Sequence, residues 1–171
     1  DPTNPASRDW WMAKRAYLRD DLGVDGFKTD GGEHLWGTTM QFGDGRHADE
    51  LWNEYPQHYT EAYYQFTRKN GGVTFSRAGF TGSQRSPIHW AGDEASTWDA
   101  YRHSLLAGLS AGISGIPFWS YDIGGFSGHT PTAELYLRST AQAAFCPVMQ
   151  YHSENFGHRE PNHDRTPWNI Q

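Results

Sequence analysis

GVDGFKTDGGEHLWG, residues 23–37, sets a short apolar run against a cluster of charge. The first part, VDGFKTD, reads as a strand, and Gly31 and Gly32 end it, because glycine turns a chain without side-chain crowding. Side chains alternate along a strand, so Lys28 and Asp30 share a face and arrive together at its end, with Glu33 close behind. A single aspartate at a strand end is an ordinary turn residue. What the other strand ends carry decides whether this one is more.

Outward from that stretch the same alternation repeats. A helical pattern runs from about Ser7 through Trp10, Trp11, Lys14, Tyr17 and Leu18 to a stop at Gly23. After the strand comes a long Gly-rich polar loop, and a loop of that length points to function or irregular structure. QHYTEAYYQFTRKNGG then reads as a helix. GVTFSRAG, IHWAGD, GIPFWSYDIGGF and CPVMQYHSE read as further strands. Helices STWDAYRHSLLAGLSAG and PTAELYLRSTAQAAF are interleaved with the last three, the first with Ser96 as its N-cap. Strand followed by helix, several times over, means parallel strands with crossover helices.

The five strand ends carry Asp30, Arg77, Asp93, Asp122 and His152 in turn. An open doubly wound sheet gathers its ligands near one switch point, whereas a (β/α) barrel collects functional groups from many strand ends on one face. Polar residues at five successive ends favour the barrel. Five strands do not close eight, so the expected fold class is α/β, with residues 1–171 forming one fragment of a (β/α)8 TIM barrel. A complete small α/β domain is the alternative.

Composition narrows the chemistry. Of 171 residues, 36% are hydrophobic, enough for a core, and the formal net charge of −6 argues against a nucleic-acid groove, which needs a surplus of Lys and Arg. No apolar stretch is long enough for a membrane span. Cys146 is the single cysteine, which leaves no internal disulfide and no multi-cysteine zinc site. Aromatics reach 15%, with eight Trp, and many sit beside Asp, Glu or His. That mixture suits sugars, whose C–H faces pack on rings while hydroxyls bond to carboxylates and imidazoles.

Asp30 and Asp93 are the minimum equipment for cleaving a glycosidic bond: one attacks the anomeric carbon or activates water, the other protonates the leaving oxygen. The acid must hold its proton, which burial among apolar groups promotes, and Trp90 and Trp98 flank Asp93 in sequence. Lys28 on the Asp30 face favours an ionised nucleophile. Trp90, Trp119 and Phe126 are candidates for an aromatic wall and Trp36 for an outer contact, with core packing the competing role for each. His34 and His47 share a loop with Asp44, Asp49 and Glu50, and His158 and His163 lie near Glu160 and Asp164. None has a recognised ligand spacing, so no metal and no cofactor are expected.

These motifs, in this order, resemble glycoside hydrolase family 31, the retaining α-glycosidases. FKTDGGE is similar to the family's nucleophile strand, which implies Asp30 as nucleophile. HWAGD is similar to its acid/base segment, which implies Asp93 in that role, with Arg77 upstream in the place of a substrate-binding arginine. FWSYDIGGF implies substrate contacts from Asp122 and Phe126, and MQYHSE from His152. The opening DPTNPASRDWW resembles the segment between the third and fourth barrel strands, so the chain corresponds to about strands 4 to 8. The resemblance implies further N- and C-terminal domains in the parent chain and an oligosaccharide or α-glycoside as substrate. It implies hydrolysis of terminal α-linked sugars with retention. An α-glucosidase is chosen from prevalence, with α-xylosidase or a transglycosylase as alternatives. A non-catalytic carbohydrate-binding barrel is the reading from another class. Lys28 stands where many α-glucosidases of the family have tryptophan, and resembles the α-xylosidase-like subgroup.

Overall fold

A computed structural model describes residues 1–152 and 164–170. The chain divides into two compact units, Asp1–Ile88 and His89–Gln171.

The first unit opens with helix α1 (Pro5–Ala13). Asn4 caps it, its side chain accepting from the amides of Ala6 and Ser7, and Pro5 occupies the first turn, where no amide hydrogen is needed. The sequence predicts one helix to Gly23; two are found, because α2 (Ala16–Asp20) starts afresh. The interruption centres on Arg15. Its amide bonds Met12 O, and its guanidinium takes the Trp11 carbonyl at 2.9 Å while lying 3.5 Å from the centroid of the Trp11 ring. Gly23, at φ 70°, ends the segment in the left-handed conformation that glycine tolerates.

Strand β1 (Gly26–Thr29) pairs in parallel with β2 (Val73–Ser76), in register Gly26 with Val73 through Thr29 with Ser76. Between them run α3 (Ala48–Leu51) and α4 (Tyr55–Arg68). α3 is a short helix inside the segment the sequence reads as loop, and the Glu50 carboxylate accepts from the His47 amide at its start. Phe27 leaves β1 towards α4, its ring 6.1 Å from those of Tyr63 and Phe66, in a core shared with Met12 and Ala62. A second cluster of Phe42, Ala48 and Leu51 anchors the long loop. Lys28 lies on the other face of β1, with Nζ 5.5 Å from the ring of its register neighbour Phe75.

In the second unit β3 (Ile88–Trp90, its first residue closing the first unit) is a neighbour of β4 (Phe118–Ser120), with α5 (Trp98–Ile113) between them in sequence. Thr97, not the expected Ser96, caps α5, its hydroxyl accepting from the Ala100 amide. Ser96 is otherwise engaged, as described below. α6 (Ala133–Ala143) follows, capped by Thr132. The core is Tyr121, Ile123, Tyr136 and Ala143, with Cys146 partly buried against it. The expected fifth strand, CPVMQYHSE, is among the described residues a single parallel bridge, Asp122 to Gln150. Pro147 donates no hydrogen bond, which weakens a ladder there.

Candidate active site

In the first unit β1 ends at Thr29 and β2 at Ser76, so the parallel register sets Asp30 and Arg77 side by side. Thr29 and Ser76 are buried and their hydroxyls meet at 2.6 Å, tying the two ends together. The Arg77 guanidinium lies 3.1 Å from Asp30 Oδ1 through one nitrogen and 2.7 Å from Glu33 Oε1 through the other. His34 joins the cluster, with Nε2 3.3 Å from Arg77 and 3.4 Å from Glu33. Glu33, which the sequence sets close behind Asp30, is paired with Arg77. His34 also stacks on Trp36 at 5.6 Å, with the two planes only 9° apart.

Asp30 is held from the main chain as well. The Tyr59 hydroxyl donates to Asp30 O at 2.7 Å, and burial, with Tyr63 and Asp30 adding smaller repulsions, pushes that phenol up to about 12. It therefore stays a donor across the working range of an enzyme. The Tyr59 ring lies under Gly32, where a Cβ would stand 2.2 Å from it, and Gly32 has φ +92°. Only glycine fits there.

In the second unit Asp93 follows β3 by three residues on an exposed turn. Its carbonyl accepts from Ser127 Oγ, and the next carbonyl, that of Glu94, accepts from the amides of Phe126 and Ser127 at 2.8 and 3.0 Å. The turn after β3 and the loop after β4 are thus laced together. Gly125 permits it: a Cβ there would stand 2.7 Å from Ser96 Cα. Asp122 is buried, and its Oδ1 accepts from Gln150 Nε2 at 2.8 Å. Phe126 and His152 pack ring to ring at 4.9 Å. Trp90 is buried at the end of β3.

Trp119 stands apart from the expected aromatic wall. Its indole N–H donates to Ser104 O on α5, and the ring lies against Gly108 of the same helix. Strand alternation turns it to the helix layer, where it packs α5 onto β4.

Two residues that sequence reading passed over belong to the same framework. Glu94 places its carboxyl against α5, with Oε1 accepting from Ser104 Oγ at 2.9 Å. Arg165 is fully buried and donates to Ser96 Oγ, Gly128 O and His129 O, joining the turn after β3 to the loop after β4. A lone Arg in a polar tail gives no sequence signal of burial.

Among the described residues no group of three or more His, Cys, Asp or Glu is arranged to hold a metal ion. Asp44 is instead paired with Arg46, which holds its carboxyl below the usual range and also bonds Glu54. His158, Glu160 and His163 lie outside the described residues.

Comparison with known proteins identifies the family. The model of the glycosyl hydrolases family 31 TIM-barrel domain matches residues 1–171. The chain is 57% identical over 166 residues to a 1,3-alpha-isomaltosidase of Kribbella flavida, covering 96% of this chain and 23% of that protein. It is 51% identical over 173 residues to an isomaltosyltransferase of Sporosarcina globispora, covering 100% of this chain and 16% of that protein. A cycloalternan-degrading enzyme from Trueperella pyogenes, solved in complex with isomaltose, superposes with TM-score 0.89 at 54% identity, over 99% of this chain and 24% of that one. The chain therefore spans less than a quarter of these relatives. Its alternating strands and helices are part of a barrel, and the chain belongs to the TIM-barrel domain of glycosyl hydrolases family 31.

Proposed function

We propose that the chain supplies part of the catalytic face of a retaining α-glycosidase, with Asp30 as nucleophile and Asp93 as acid/base. The observation that carries the reading is the anchoring of Asp30 by Arg77 at the ends of adjacent parallel strands, on the nucleophile segment that the family resemblance assigns. Arg77 aims that carboxylate, and a nucleophile must be held in line with the carbon it attacks.

In the first step an Asp30 oxygen attacks the anomeric carbon, the glycosidic C–O bond breaks, and the Asp93 proton passes to the departing oxygen. In the second, water attacks the same carbon, gives its proton to Asp93 and releases Asp30. Two displacements retain configuration. Arg77, Asp122 and His152 grip sugar hydroxyls, Trp90 and Phe126 offer ring faces, and Lys28 sits beside the nucleophile. Trp119 is left out because its indole is committed to α5.

For the sugar, the relatives named above favour an α-linked isomaltosyl unit over the single terminal glucose chosen from family prevalence. With an isomaltosyltransferase among them, transfer to a sugar acceptor is the second reading, since it shares the glycosyl-enzyme intermediate. The test is to assay the full-length parent on 4-nitrophenyl α-glucoside, α-isomaltoside and α-xyloside, with product analysis at high acceptor concentration. Fastest release from the isomaltoside supports the proposal. Exclusive action on the xyloside would return the sugar assignment to the α-xylosidase alternative, and no turnover of any α-glycoside would defeat the catalytic reading.

A further inference from the structure

Glu94 follows the proposed acid/base directly, yet nothing in the mechanism above uses it. Its main chain is fixed by Phe126 and Ser127, and its side chain reaches α5 through Ser104. Oε2 is buried and has no hydrogen-bond partner among the described residues. It borders a cavity of about 10 Å³ also lined by Tyr101, Tyr121, Asp122 and Ser139, at the lower limit of the space one water needs. Burial at that oxygen disfavours the charged form.

We infer that Glu94 is a positioning residue, bracing the turn that presents Asp93 against α5 and closing the cavity behind Asp122. The inference rests on the roles proposed above for Asp93 and Asp122. The described residues around the cavity bear on its charge. Asp93 stands on its own turn and Asp122 comes from beyond β4, both acidic; Tyr101 comes from α5 and Tyr121 from the end of β4, both held neutral by burial; α6 contributes the hydroxyl of Ser139. Among the described residues no cation lines this cavity. Burial, reinforced by Asp122 and Asp93, pushes Glu94 up to about 7. Below that pH it is neutral. Above it, a second negative charge appears behind Asp122 and pushes against the carboxylate that grips the sugar.

The experiment uses the full-length parent, its Glu94→Gln and Glu94→Ala variants, and Asp93→Ala as a control, on the aryl α-glycoside turned over fastest in the panel above. In the parent KM rises about threefold or more between about pH 6 and pH 8, whereas in Glu94→Gln, which mimics the neutral acid, KM stays flat. Glu94→Ala lowers kcat by about tenfold or more, and Glu94→Gln restores most of it. A Glu94→Gln profile that rises with the parent's overturns the inference, as does a Glu94→Ala variant with the parent's kcat. Should Glu94→Ala unfold, the comparison of KM between Glu94→Gln and the parent decides alone. Full activity in Asp93→Ala on a natural disaccharide, whose departing oxygen needs a proton, overturns the acid/base reading instead; impaired Asp93→Ala with parent-like Glu94 variants overturns only the role of Glu94.

Discussion

Arg77 holds Asp30 at 3.1 Å while its other terminal nitrogen holds Glu33 at 2.7 Å, so one guanidinium just past β2 fixes both carboxylates that follow β1. Lysine cannot reproduce that fork. Arg77→Lys should therefore lower kcat/KM of the parent enzyme by roughly tenfold to a hundredfold, the worth of one charge-assisted hydrogen bond at about 1.5–3 kcal/mol. Steady-state kinetics on an aryl α-glycoside checks it; a change under twofold would remove Arg77 from the site.

Asp30→Ala removes the attacking oxygen and should abolish turnover, while Asp93→Ala should lose more on poor leaving groups than on good ones. An acid contributes roughly 10²–10⁴-fold where the departing oxygen needs a proton. Comparing a natural disaccharide with a nitrophenyl glycoside reads this out. Equal losses on both would argue against Asp93 as the proton donor.

Gly32→Ala meets both a positive φ and the Tyr59 ring. It should destabilise the barrel domain by about 1–3 kcal/mol from backbone strain alone, and lower activity by shifting the Asp30 segment. Tyr59→Phe keeps the ring and loses only the hydrogen bond to Asp30 O, costing about 1 kcal/mol. Thermal unfolding of the two variants should rank them in that order.

Arg165→Ala removes a fully buried guanidinium and its hydrogen bonds to Ser96, Gly128 and His129, bonds from a charged group that contribute roughly 1.5–3 kcal/mol each. Arg165→Lys should recover little, because one ammonium replaces a fork that serves Ser96, Gly128 and His129 together. The expected result is a lower unfolding midpoint for both, and the return of parental stability in Arg165→Lys would contradict it.

Much of the framework is legible in the sequence, because strand period and the glycines after it are local signals. β1, β2, β3 and β4 lie inside the stretches read as strands, and Asp30 and Arg77 directly follow the first two. What escapes is set by partners far along the chain or by burial. The helix break at Arg15 depends on that residue preferring the Trp11 carbonyl and ring to the next helical turn. Ser96 looks as good a cap as Thr97 until Arg165, distant in sequence, claims its hydroxyl. Trp119 reads like any aromatic before a polar loop, and only α5 shows which face of β4 it occupies. Glu94 beside Asp93 looks like one more solvated charge; its anchoring on Ser104 is what sets it apart.

The pairing of β1 with β2 has a consequence for how this barrel tolerates change. A Cβ on Gly26 would stand 2.5 Å from the Val73 carbonyl oxygen at one end of the pair, while Thr29 and Ser76 join hydroxyls at the other. These two contacts act as a lock on registration. A slip of one residue would carry Asp30 about 3.3 Å along the strand and turn its side chain to the opposite face. Substitutions at Gly26, Thr29 or Ser76 touch no sugar, yet they reach the nucleophile through alignment, and a screen for altered catalysis that samples only pocket-lining positions would pass them by.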